Sequence, residues 1–150
     1  MNDADYMRLA LDAARDAAYH GEVPIGAIVV DGTGAVVATA SNRRERNADP
    51  TGHAELLAIR DAAHTLERWR LSDCTVYATL EPCPMCAGAM HQARVKRCVY
   101  GTPDPKAGAL GSLYDLHDDA RLNHRFDVAS GILADEAAAL LQTFFKERRQ

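Results

Sequence analysis

No apolar run in the 150-residue chain approaches the roughly 18 residues a membrane-spanning helix needs. The first six residues carry Asp3 and Asp5 and lack both the cationic flank and the apolar stretch of an export signal. A soluble, unexported, cytoplasmic protein with no membrane contact is therefore expected. Low-complexity segments, internal repeats and linkers are missing too. With 47% apolar and 25% charged residues, 10 glycines and 6 prolines, the composition is that of an ordinary globular chain. Fibrous and largely unfolded readings are excluded. A chain of this length buries roughly two-thirds of its unfolded surface around one core, so residues 1–150 are expected to form a single domain.

There is no excess of positive charge either, since the formal net charge is −4. The imbalance lies at the start, where residues 1–40 hold six acids against Arg8 and Arg15 and the remaining 110 residues balance. Within that balanced part Arg43, Arg44 and Arg46 cluster, as do Arg121 and Arg125, and Lys146, Arg148 and Arg149 close the chain. Local basic patches coexist with an acidic total. Each of these clusters reads first as a solvated face and second as a nucleic-acid contact.

Periodicity organises the rest. Tyr6, Leu9, Ala13 and Ala17 recur at helical spacing and Gly21 follows as a stop, which predicts a helix over about 4–20. Residues 25–30 form a β-branched apolar run, Asp31-Gly32-Thr33-Gly34 is turn chemistry, and residues 35–40 return as a partner strand. A polar, arginine-rich loop over 41–52 delivers the chain to a helix over about 53–66, whose apolar face is Leu56, Ile59, Ala63 and Leu66. Residues 74–80 read as a strand broken by Glu81-Pro82, a short helix begins at Cys83 with Pro84 in its first turn, and 95–100 is the next strand. The pattern weakens after 101 and recovers in a helix over about 134–149. Strands alternating with helices imply crossovers into a parallel set. Added to the antiparallel hairpin, that set makes an α/β fold: one mixed sheet with helices on both faces, a three-layer αβα arrangement.

Cysteine is scarce, at four residues, and in a chain without an export signal thiols or metal ligands are favoured over disulfides. Cys74 and Cys98 lie inside apolar strands and read as small buried hydrophobes. Cys83 and Cys86 sit three apart at a helix start, where their sulfurs can share an ion and the helix N-terminus favours thiolates. A zinc site built from all four is disfavoured because only one pair is close. His53, at the other strand-to-helix junction, is the best further ligand, since parallel strands present both junctions at the same sheet edge. Three protein ligands leave the fourth tetrahedral position open, the mark of a catalytic zinc. Two thiolates cancel the formal charge of the ion and weaken its acidification of water, so a base is needed. Glu55, two residues beyond His53, is the candidate.

A His-x-Glu followed by Pro-Cys-x-x-Cys is the established signature of zinc-dependent nucleoside and base deaminases, and at these residues the sequence resembles them. Over almost the whole chain it resembles, more narrowly, the bacterial tRNA-specific adenosine deaminases of the cytidine/deoxycytidylate deaminase superfamily. The marks are Glu22-Val23-Pro24-Ile25-Gly26-Ala27, Asn42-Arg43, residues 49–55 and 79–89, Gly111-Ser112-Leu113, Leu122-Asn123-His124-Arg125 and residues 131–136. The resemblance implies a cytidine-deaminase-like fold and hydrolytic conversion of a wobble adenosine in a tRNA anticodon loop to inosine by a homodimer. His53, Cys83 and Cys86 would hold zinc and Glu55 would shuttle the proton. It further implies that Asn42 contacts the flipped base or its ribose and that Asp104 lies beside the bound anticodon stem-loop.

From the residues alone Asn42 reads equally as a turn residue. At least one of Phe144 and Phe145 is expected in the core, with stacking on RNA bases as the lesser reading. His20, His64, His91, His117 and His124 read as surface or hydrogen-bonded residues rather than ligands. Two departures from the family pattern stand out: Asp118-Asp119-Ala120-Arg121 where many relatives carry a proline, and Gly52 where alanine is common. Deamination of a free base such as cytosine or guanine would use the same zinc-site residues, and a noncatalytic zinc module binding RNA or protein is a further alternative.

Overall fold

The computed structural model describes residues 1–148; Arg149, placed in the last helix by the periodicity, lies outside the described residues. The chain opens with α1 (Asp3–Tyr19), capped by Asn2, whose side chain accepts the Asp5 N–H while the Asp5 carboxylate accepts the Asn2 N–H. Then follow β1 (Gly26–Val30), β2 (Val36–Ser41), α2 (Ala54–Leu66), β3 (Thr75–Leu80), α3 (Pro84–Ala93), β4 (Arg97–Thr102), a single 3-10 turn (Leu116–Asp118), β5 (Asp127–Ala129) and α4 (Ala134–Arg148). None of these helices is long and apolar enough to cross a membrane.

The five strands form one sheet in the order β2-β1-β3-β4-β5. β1 is antiparallel to both β2 and β3, while β3, β4 and β5 run parallel. The two-residue period of each strand splits its side chains between two cores. Ala27 and Val29 of β1, Val76 and Ala78 of β3, and Cys98 and Tyr100 of β4 face α2 and α3, where Ala58, Ile59, Ala62 and Met90 meet them. Ile28, Val30, Tyr77 and Val99 face the other way, onto Met7, Ala10 and Leu11 of α1 and Ala137 of α4. The expected three layers are thus present. α1 lies so close to β1 that a Cβ on Gly26 would stand 2.0 Å from the Ala10 carbonyl oxygen, so only glycine fits there.

Three differences from the sequence pattern have local causes. β4 begins at Arg97 and not at residue 95, because α3 ends on Arg94 in the left-handed region (φ 58°) and the Val95 N–H is spent on the Met90 carbonyl. β5 is three residues long, too short to show a period. Phe144 is half-buried under the Arg148 guanidinium, 4.7 Å from its ring, and Phe145 is exposed, so neither ring enters a core cluster. Ala137 and Leu140 supply the inward face of α4 instead. All four cysteines are free thiols, with Cys74 and Cys98 buried as expected. His91 and His124 are hydrogen-bonded, to the carbonyls of Leu116 and Val95.

Candidate active site

β2 and β3 point the same way, so the helices that follow them start at the same edge of the sheet. His53 is the N-cap of α2 and Cys83 the N-cap of α3, both with extended backbone, and Cys86 lies in the first turn of α3 behind Pro84. The capping carbonyls accept the first helical bonds, from Leu57 to His53 and from Ala87 to Cys83. Neither side chain caps its own helix, which leaves both free to converge. The His53 Nδ1 is 3.5 Å from the Cys83 Sγ and 3.6 Å from the Cys86 Sγ, and one donor atom from each residue lies within 4.8 Å of the others. Metal–nitrogen and metal–sulfur bonds of about 2.0–2.3 Å fit a trio of that spread. The three residues the sequence singled out can hold a metal ion.

Their protonation suits a cation. Cys83 is drawn down to about 4, chiefly by the hydrogen bond it accepts from Cys86 and then by the one it accepts from His53, and Cys86 is pushed up because it retains the shared proton. His53 is raised, the sulfur of Cys83 being the largest cause. A thiolate is therefore already favoured at the exposed end of the pair, and metal binding would displace the remaining proton.

A cavity of about 260 Å³ opens beside this trio. Glu55, in the first turn of α2, reaches it from within the protein at 4% exposure, and burial lifts its carboxyl to about 7. Asn42 and Asp104 line the same cavity. The Asn42 amide oxygen accepts the Arg44 N–H at 3.2 Å, so the turn role and the cavity position coincide in one residue. Asp104 curls its loop by accepting the N–H groups of Lys106 and Ala107, and donates its own N–H to Glu81. All six residues singled out by sequence thus border one cavity or its donor trio.

Of the other residues that line it, three are polar or aromatic and were not singled out as site residues by sequence: Arg44, Glu81 and Phe145. Arg44 read as part of a basic cluster, first as a solvated face and second as a nucleic-acid contact. Glu81 stood only as a motif letter before Pro82, and Phe145 was indistinguishable from its neighbour. The two departures from the family pattern are absorbed locally. Asp119 accepts hydrogen bonds from the Arg121 backbone and guanidinium, and Asp118 lies 3.7 Å from Arg125, so the added carboxylates carry their own counter-charges. Gly52 packs where an added Cβ would come within 3.1 Å of the Asp49 carbonyl oxygen.

Comparison with known proteins places this geometry. The model of the MafB19-like deaminase family matches residues 1–149. The tRNA-specific adenosine deaminase of Haemophilus influenzae is 44% identical over 148 residues, covering 99% of this chain and 86% of that protein. Its Bacillus subtilis counterpart is 45% identical, covering 99% and 91%. The chain belongs to the tRNA-specific adenosine deaminase family. A structure from work on wobble-position A-to-I editing by tRNA:A34 deaminases superimposes on this deaminase with a TM-score of 0.87 at 43% identity, over 91% of this chain and 99% of the other. The guanine deaminase from Nitrosomonas europaea shares the fold, with a TM-score of 0.79 at 27% identity over 94% and 83% of the two chains.

Proposed function

We propose that this deaminase hydrolyses the wobble adenosine of a tRNA anticodon loop to inosine, releasing ammonia, with zinc held by His53, Cys83 and Cys86. The observation that carries the reading is Glu55, buried in a cavity beside a three-donor cluster, in a chain 44–45% identical to tRNA-specific adenosine deaminases. Bound there, zinc supplies an acidified water as the nucleophile. Glu55 would take a proton from that water and pass it to the ring nitrogen next to the attacked carbon, then carry the proton of the new hydroxyl to the amino group, which leaves as ammonia while the carbon–oxygen double bond forms. Burial, which disfavours the charged carboxylate, makes Glu55 ready to hold that proton between its two transfers. Val23, Ile25 and Leu80 give the base apolar walls, and Asn42 offers amide hydrogens to the base or ribose.

At about 260 Å³ the cavity is smaller than an ordinary drug-sized pocket, so it suits one base and not a folded loop. The target nucleotide must therefore be swung out of its stack, with Asp104 beside the loop that remains outside. Such a substrate puts the enzyme in the cytoplasm. The same reading takes the protein as a homodimer, for which sedimentation should give one species of twice 16.3 kDa.

The decisive experiment is mass-spectrometric detection of inosine in anticodon stem-loops incubated with zinc-loaded protein, beside free adenosine, cytosine and guanine. Wobble inosine is expected from wild type, and none from Glu55→Gln, which should retain its zinc. Ammonia from free guanine alone would move the function to base salvage, and loss of zinc in Glu55→Gln would remove Glu55 from its role.

A further inference from the structure

The loop between β2 and α2 is bonded on both sides of Arg44, one of several exposed residues in it. Glu22, only 1% exposed, accepts the Glu45 N–H on one carboxylate oxygen at 3.0 Å and the Arg46 N–H on the other at 3.1 Å. The Arg46 guanidinium lies 4.0 Å from the same carboxylate. Asn42 fixes the Arg44 N–H, the Asp49 N–H bonds the Arg44 carbonyl at 3.0 Å, and the Arg43 N–H bonds Gly52 at 2.9 Å. A buried carboxylate is tolerated only when its oxygens are occupied, and here a surface turn occupies them. The turn is held rigidly in return.

What the turn presents is Arg44. Among the described residues it is the one arginine or lysine lining the cavity, and no carboxylate lies within 4.0 Å of its guanidinium. Its neighbour Arg46 already faces Glu22. If the cavity takes the base, the phosphates on either side of that nucleotide stay at the mouth. A guanidinium on a fixed backbone offers them a planar fork of donors.

We propose that Arg44 binds a phosphodiester flanking the reacting nucleotide, with Glu22 as the positioning residue that holds its turn. The inference rests on the RNA-substrate reading above. Single-stranded contacts contribute about 0.7 to the slope of log affinity against log salt for each phosphate neutralised. In Arg44→Gln, KM for the stem-loop should rise about tenfold, with the loss falling on KM rather than kcat, and the salt slope of kcat/KM should drop by about 0.7. Arg44→Lys should keep the slope and recover part of KM. A stem-loop carrying a neutral methylphosphonate at one flanking linkage should weaken wild type but leave Arg44→Gln unmoved, and Glu22→Gln should add little once Arg44 is gone. Wild-type turnover with unchanged KM and slope in Arg44→Gln overturns the assignment alone. No wild-type turnover on any stem-loop overturns the RNA reading and this assignment with it.

Discussion

Glu81 stands one residue past β3 at 2% exposure and is held by atoms far away in sequence. Its carboxylate accepts the N–H groups of Asp104, Leu110 and Ser112 at 3.0, 3.1 and 3.0 Å, and the Ser112 hydroxyl as well. Burial alone would raise its pKa, but the Ser112 hydroxyl and the three N–H groups outweigh that and hold it below the ordinary value. The loop bordering the cavity through Asp104 is thereby fastened to the end of the strand that leads to Cys83. Glu81→Gln would turn an NH2 group toward donors, leaving buried hydrogen-bonding groups unmet at a cost of about 2–3 kcal/mol. At about 2–4 °C per kcal/mol for a chain of this size, the melting midpoint should fall by about 4–12 °C. Gly108→Ala should damage the same loop from the other side, because its Cβ would stand 2.2 Å from the Glu81 carboxyl carbon. Both variants should lose kcat/KM while keeping their metal, and a wild-type melting curve for Glu81→Gln would refute the argument. The convergence of His53, Cys83 and Cys86 and the place of Glu55 beside them were legible because their chemistry is in their side chains and spacing. Glu81 was not, because its partners are backbone N–H groups, which a sequence of side chains does not display.

Elements were legible to the extent that they are long and one-sided. α1, α2 and the hairpin announce themselves by period and turn chemistry, whereas β5 has three residues and takes its place by pairing Arg97–Val99 of β4 with Asp127–Ala129. The tie between α1 and the sheet was likewise invisible. Asp3, an acid at a helix N-terminus in sequence, accepts both Arg97 guanidinium nitrogens at 3.0 and 2.8 Å and the Tyr77 hydroxyl at 2.7 Å. Arg97 first, and then Tyr77, hold its carboxyl below the ordinary 3.8 despite partial burial. A carboxyl lowered on folding contributes stability above its unfolded pKa and loses it as pH falls through the folded value. With the pair about one-third exposed, the contribution is about 1–2 kcal/mol at neutral pH. Asp3→Asn should therefore be destabilised by that amount at pH 7, and the gap to wild type should close as pH falls below 3.8. Paired urea titrations at pH 7 and pH 3 check this, and a gap that stays constant with pH would exclude the ion pair as its source.

At the scale of the whole molecule the site and the core are nearly separate constructions. The αβα layering followed from alternating strands and helices, and the two apolar clusters fill both faces of the sheet with side chains that take no part in the donor trio, whose Cys86 is buried outside them. The trio sits on the ends of α2 and α3, and Cys83 carries its charge at about 4 through Cys86, His53 and the helix N-terminus. Nothing in that arrangement requires an ion to keep the layers together. Removing metal from the loaded protein with a chelator should therefore abolish turnover and lower the melting midpoint while leaving a cooperative transition and an unchanged far-ultraviolet spectrum. The size of the shift follows from mass action: free metal at 1,000 times its dissociation constant adds about 4 kcal/mol to the native state. For a chain of this length that is about 8–16 °C. A broad, non-cooperative melt after chelation would mean that the ion belongs to the core's own stability, as it does in small zinc-dependent domains, and that the two apolar faces do not suffice.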